Sequence, residues 1–345
     1  MARRVGGAVV STVTAVALLA ACSAGSGGAG SPPGSTSATS SSVAPASVPT
    51  VPLRDRLIKR FALTGQPDWL GHDSRYLYVR QDSGEIAAID PRTNRIAWRV
   101  RVAGEDTCQG LGVGFGSLWT CATRADADGD DLVRIDLRTH RISKVLHVGK
   151  SHRQGRLVTG FGRVWVITSS PDGSDLVGVD PRTGKADPPI ALGMLAVELT
   201  IDEERVWAVG SFTGEVVGVD PRARRVAQRV SGLARVGGPS IITVGAGHLW
   251  VSGDTSTVGI DRETGNVAVE VAQPTTGFGG LATADNALWI HSDHPFLTRV
   301  DPATGQAVER IVAPDLPNPG DALVAFGSLW ASSNNQSTLV RLRLR

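Results

Sequence analysis

The chain has 345 residues, 41% of them hydrophobic, enough for a large core. Its 35 basic and 33 acidic residues leave a net charge of +2 and are interspersed, which removes any reason to expect a nucleic-acid partner. By length alone two domains would be the first guess.

Arg3 and Arg4 form a short basic head, followed by an apolar run from Val5 to Leu19 that is too short to span a bilayer comfortably. The run ends in Leu19-Ala20-Ala21-Cys22, which resembles the lipobox of bacterial lipoproteins. The resemblance implies that residues 1–21 are a signal peptide. It further implies that Cys22 receives a diacylglycerol and becomes an acylated, palmitate-bearing mature N-terminus. Several acyl chains, each burying CH₂ groups at about 0.8 kcal/mol apiece, would hold the protein on the outer face of the cell membrane. From Ser23 to Pro52 the residues are Ser, Gly, Ala, Pro, Thr and Val without a single charge. Such a segment cannot bury enough apolar surface to offset its ordering entropy, so residues 22–53 are expected to be a tether and 54–345 the folded domain.

Across the folded domain a single phrase recurs: LYV at 77–79, LWT at 118–120, VWV at 164–166, VWA at 206–208, LWV at 249–251, LWI at 288–290 and LWA at 329–331. The aromatic residues Tyr78, Trp119, Trp165, Trp207, Trp250, Trp289 and Trp330 are spaced by 41, 46, 42, 43, 39 and 41 positions. Seven copies with a period near 42 residues are a repeat architecture, which replaces the two-domain guess by one closed domain. Each copy reads as four strands of four to six residues, rich in β-branched and aromatic residues and separated by Gly and Asp turns. The turn after the third strand begins at Asp90, Asp136, Asp180, Asp220, Asp261 and Asp301. Pro91, Pro181, Pro221 and Pro302 follow with a φ suited to the turn, and Gly184, Gly265, Gly305 or Asn94 stands where φ is positive. These carboxylates cap turns and are not catalytic.

Seven four-stranded antiparallel sheets around an axis make an all-β seven-bladed β-propeller, with each repeated aromatic filling the space between blades. The last copy lacks a fourth strand after Leu339–Leu344, and the segment from Leu57 to Leu63 precedes the first full copy. The N-terminal segment is therefore expected to complete the last blade as its outer strand, removing the open edge.

These repeats resemble the YVTN-type seven-bladed propellers of bacteria, and are also similar to those of streptogramin B lyases and of quinoprotein dehydrogenases. The first copy, Ala88-Ile89-Asp90-Pro91 through Trp98, is similar to the quinoprotein docking motif that ends in Trp. The resemblance implies the fold over 54–345. Such propellers host lyases, dehydrogenases and binders alike.

The loops between blades, and those between second and third strands, share one face at the mouth of the central channel, where a ligand is expected. There Asp126, Asp128 and Asp130 of the second copy offer oxygen ligands to Ca²⁺, against the plainer reading of a solvated acidic loop. His152 and Arg153, inside Gly149–Arg156, are donors for a carboxylate or phosphate. His291, Asp293 and His294 of the sixth copy form a second polar group. Cys108 and Cys121 flank the hairpin of the second copy and are expected to form a disulfide outside the cytoplasm. The sequence thus points to a monomeric, lipid-anchored, non-catalytic binding propeller that needs no cofactor. Its partner would be a small molecule, a cell-wall component or a protein. The alternative is an enzyme of the lyase or quinoprotein type.

Overall fold

The structure, a computed structural model, describes residues 47–102, 110–123, 130–148, 157–211, 213–238, 240–272, 279–284 and 286–345. Residues 47–345 form one unit. Seven antiparallel sheets follow one another in chain order, and the first strand of each packs beside the first strands of its two neighbours, closing a ring. This is the expected seven-bladed propeller.

Blade 1 comprises Pro67–His72, Leu77–Gln81, Glu85–Asp90 and Arg95–Arg101. Blade 2 is built from Leu111–Gly114, Ser117–Thr123, Asp130–Asp136 and Arg141–His147, and blade 3 from Val158–Gly160, Arg163–Ser170, Gly173–Val179 and Ile190–Ala191. Blades 4 and 5 begin at Ala196–Ile201 and Ile241–Gly245. Blade 6 runs from Leu281–Ala284 to Ala307–Val312. Blade 7 contains Pro319–Ala325, Ser328–Ser333 and Thr338–Arg343, and its outer strand is the N-terminal Leu57–Ala62, paired with Thr338–Arg343.

Every repeated aromatic is buried, and the cores lie between blades rather than within them. Trp119 shares a cluster with Val164 and Val179 of blade 3, Trp207 with Leu249 and Ile260 of blade 5, and Trp330 with Leu77 and Ile89 of blade 1. The indole N–H has a second task. It donates to the carbonyl five residues earlier: Trp119 to Gly114 (3.2 Å), Trp165 to Gly160 (3.1 Å), Trp250 to Gly245 (3.0 Å) and Trp330 to Ala325 (3.1 Å). That bond closes the hairpin between the first two strands. Its turns, Phe115-Gly116, Phe161-Gly162, Ala246-Gly247 and Phe326-Gly327, have positive φ at both positions, the geometry that matches strand twist. In blades 1 and 4 an aspartate does the same work from its side chain. Asp73 Oδ2 accepts the Tyr78 hydroxyl at 2.7 Å and Asp202 Oδ2 the Trp207 indole at 2.8 Å.

The turns after the third strands behave as expected. Asp180 Oδ1 accepts the N–H groups of Arg182 and Thr183, each at 2.8 Å, and Asp136, Asp220 and Asp261 repeat the arrangement. These amides hold the four carboxyls below the ordinary aspartate range, while the Arg92 side chain is the first cause at Asp90.

Two features depart from the expectation. Thr50–Pro52, placed in the tether by composition, pairs in parallel with Arg310–Val312, so blade 6 has five strands. The segment can do this because Val51 and Leu53 are apolar among small residues: Leu53 is buried in the cluster of Trp289 and Leu342. Arg56 then binds Glu309 of the same outer strand. The other departure is blade 3, whose outer strand has only two residues because Asp187-Pro188-Pro189 occupies its start. Proline has no amide to give to a ladder.

Candidate functional site

Of the residues singled out from sequence, Cys22, Cys108, Asp126, Asp128, His152 and Arg153 lie outside the described residues. Asp130 opens the third strand of blade 2, and Cys121 is buried in the second strand. Asp293 accepts the Asn318 amide at 2.6 Å, tying its loop to blade 7, and His294 is exposed. His291 does not join them on the surface. It is 1% exposed and lies edge-on to Phe296 at 4.6 Å. Burial lowers its pKa to about 3. Strand alternation explains this placement: His291 stands two residues after Trp289 and therefore on the same, inward side. Among the described residues no group of three or more His, Cys, Asp or Glu is placed to hold a metal ion.

The same position in blade 1 is Arg80, also 1% exposed. Its Nε donates to Thr120 of blade 2 at 3.2 Å, and burial lowers the guanidinium to about 10 against the opposing charges of Asp82 and Asp68. Asp321 accepts the Leu70 amide at 3.0 Å, joining blade 7 to blade 1. These interior polar groups face neighbouring blades and serve the ring.

An open polar cavity lies instead on the opposite face, among the hairpin and Asp-Pro turns. It has a volume of about 610 Å³ and is lined by Phe161, Arg163, Trp165, Asp187, Pro188, Pro221, Arg222 and Arg224, at the junction of blades 3 and 4. Three other junctions, 2–3, 4–5 and 7–1, are closed here by an arginine latch. Arg134 lies 5.6 Å from the Trp119 ring and donates to the Pro181 carbonyl of the next blade at 3.3 Å. Arg205 lies 5.4 Å from Trp207 and donates to the Arg262 carbonyl at 2.9 Å, and Arg341 lies 5.0 Å from Trp330 and binds the Pro91 carbonyl. The matching acceptor at the 3–4 junction is the Pro221 carbonyl. Arg163 is drawn elsewhere: its Nε donates to Asp187 Oδ2 at 2.8 Å, and that carboxylate raises its pKa. Arg224 Nη1 donates to the same oxygen at 2.9 Å, and its Nη2 binds the Pro188 carbonyl. The junction is left open, with an acid-tied pair of arginines on its floor.

A family model described as outer membrane protein assembly factor BamB matches residues 34–310, most of the chain. The chain belongs to the BamB family. Three solved structures are similar to this BamB-family propeller. The Cps50 (Swd1) β-propeller domain of Myceliophteria thermophila has a TM-score of 0.68 at 9% identity, covering 84% of this chain and 99% of that one. Hydrazine synthase of Kuenenia stuttgartiensis has a TM-score of 0.66 at 14% identity, covering 83% and 97%. BamB from Moraxella catarrhalis has a TM-score of 0.58 at 15% identity, covering 84% and 99%. At these identities the likeness is one of fold. No curated protein matches the chain in sequence.

Sequence reasoning missed the cavity of this BamB-family chain, although one signal marked it. Asp187-Pro188-Pro189 interrupts a fourth strand that the other repeats keep.

Proposed function

We propose that this chain is a lipid-anchored, extracytoplasmic propeller that binds a ligand or partner protein and carries out no catalysis of its own. The observation that carries this reading is the chemistry of its open cavity. The charged groups there are three arginines and one carboxylate already held by two of them. A guanidinium keeps its proton throughout the physiological range, so it holds charge well. Acid–base catalysis requires a group that exchanges a proton near the working pH. The family description, an outer membrane protein assembly factor, fits an envelope protein that works by binding. The proposed anchor rests on Leu19-Ala20-Ala21-Cys22.

The test is fractionation of cells that express the full chain or its Cys22→Ala variant. The parent is expected in the membrane fraction, bearing a lipid mass and open to protease added from outside. The variant is expected in the soluble fraction or as the uncleaved precursor. Unchanged membrane retention and mass in the variant would overturn the anchor. Quinone-dependent dehydrogenase turnover by the purified protein would overturn the non-catalytic reading.

A further inference from the structure

We infer that the cavity at the junction of blades 3 and 4 is a binding site for a phosphate monoester carried on an apolar or aromatic body. The inference rests on the binding reading above and adds to it the class of ligand.

Charge selects the ligand. Three guanidiniums, Arg163, Arg222 and Arg224, face one carboxylate, Asp187, so three positive charges less one negative leave two. Asp180 and Asp220 act on Arg163 and Arg222 through space, but both are capped by their own turn amides and neither lines the cavity. A phosphate monoester carries about −1.5 to −2 charges at neutral pH and offers three acceptor oxygens, which matches the excess. A monocarboxylate would leave one guanidinium uncompensated.

The donors are placed for it. Asp187 Oδ2 accepts from both Arg163 (2.8 Å) and Arg224 (2.9 Å), and Oδ1 accepts a longer bond from Arg163 Nη2 (3.5 Å), which fixes both planar forks before a ligand arrives. Each fork keeps N–H groups beyond those it spends on Asp187 and on the carbonyls of Gly162 and Pro188. Arg222 makes no side-chain hydrogen bond or ion pair among the described residues. Its guanidinium rests 5.8 Å from the Phe161 ring, exposed at the rim. The remaining walls are Phe161, Trp165, Pro188 and Pro221, an apolar lining that suits the body of an ester better than free phosphate.

The junction differs in construction from those that an arginine latches. At the 2–3, 4–5 and 7–1 junctions an arginine over the Trp ring latches the next blade. Here Asp187 diverts Arg163, the double proline cuts the outer strand short, and the turn position that Asn94 and His140 hold in blades 1 and 2 carries Arg224. The diverted Arg163 and the shortened outer strand are two departures from the repeat, and both lie at this cavity.

The experiment is isothermal titration of the full-length protein in detergent with phenyl phosphate, inorganic phosphate and dihexanoyl phosphatidate. Phenyl phosphate represents a soluble monoester and the phosphatidate a lipid headgroup; the tighter of the two assigns the source. Binding at one site per chain is expected, with either ester tighter than inorganic phosphate. Arg222→Ala should weaken ester binding at least tenfold without moving the melting midpoint, and Phe161→Ala should erase the advantage of phenyl phosphate over inorganic phosphate. Absence of saturable binding to all three probes, or an Arg222→Ala variant that binds like the parent, would overturn the site. Cys22→Ala must titrate like the parent, so a failure of anchoring and a failure of this site are read separately.

Discussion

Gly218 lies directly across a strand pair from Trp207, and a Cβ added to it would stand 2.7 Å from the indole ring. Gly178 and Gly259 meet Trp165 and Trp250 in the same way, each at 2.9 Å. Where glycine is absent the blade finds another partner for the ring: Arg341 above Trp330, or Ala88 opposite the smaller Tyr78. Gly218→Ala should therefore destabilise the fold by about 1–3 kcal/mol through overpacking. Combining it with Trp207→Tyr, the blade 1 pairing, should cost less than the sum of the two single changes. Denaturant unfolding of the four proteins is the measurement, and strict additivity would show that the contact is relieved elsewhere.

Trp250→Ala removes a fully buried ring from the seam between blades 5 and 6. A loss of about 3–5 kcal/mol is expected from the cavity, visible as a lower denaturant midpoint. A loss below about 1 kcal/mol would mean that the seam collapses around the gap.

What the sequence disclosed was what the fold had to repeat. The Trp series and the Asp turns recur because seven seams and six turns pose the same packing and hydrogen-bonding problems, and recurrence separates such residues from the rest. Asp73 and Asp202 escape such a reading because they replace a backbone carbonyl with a side chain in the hairpins of blades 1 and 4, where nothing repeats them. His291 was legible and was misplaced: its spacing from Trp289 already put it on the inward face, but the surrounding polar residues suggested a loop. The cavity arises from long-range pairing of Asp187 with Arg163 and Arg224, and no local period encodes that.

The order of the first strands gives a graded truncation. Thr50–Pro52 and Leu53 cover blade 6, and Leu57–Ala62 completes blade 7. A start at Ser47 keeps both and should leave the melting temperature unchanged. A start at Arg56 should lower it by several degrees, since Leu53 and the parallel strand are lost. A start at Thr64 should expose the long edge of Thr338–Arg343 and cause aggregation. Equal melting of the first two forms would show that the fifth strand contributes nothing.

Cys108 and Cys121 are expected to be joined by a disulfide. Cys121 is buried at the inward position two residues after Trp119. A bridge closing so short a loop would add about 3 kcal/mol. Peptide mapping of secreted, unreduced protein should recover the two cysteines in one linked fragment. Recovery of both as alkylated free thiols would refute the bridge.

His291 supplies a dependence on pH whose sign can be worked out. In the folded protein burial lowers its pKa from 6.5 to about 3. The unfolded chain therefore takes up a proton as pH falls below about 6.5, while the folded chain does not until about 3. Stability from this site is present above the unfolded value and is lost with acidification, at up to about 1.4 kcal/mol per pH unit. The turn aspartates, held below their ordinary range, push the same way only in stronger acid. Between pH 6.5 and 5 the loss is expected from His291. The equivalent positions in blades 3 and 4 are Ile167 and Val209, both buried, so an aliphatic side chain suits the site. His291→Leu should gain stability at pH 5 relative to the parent and flatten the profile between pH 7 and 5, measured by denaturant midpoints. A variant whose profile remains as steep as the parent's would show that the acid sensitivity comes from another group.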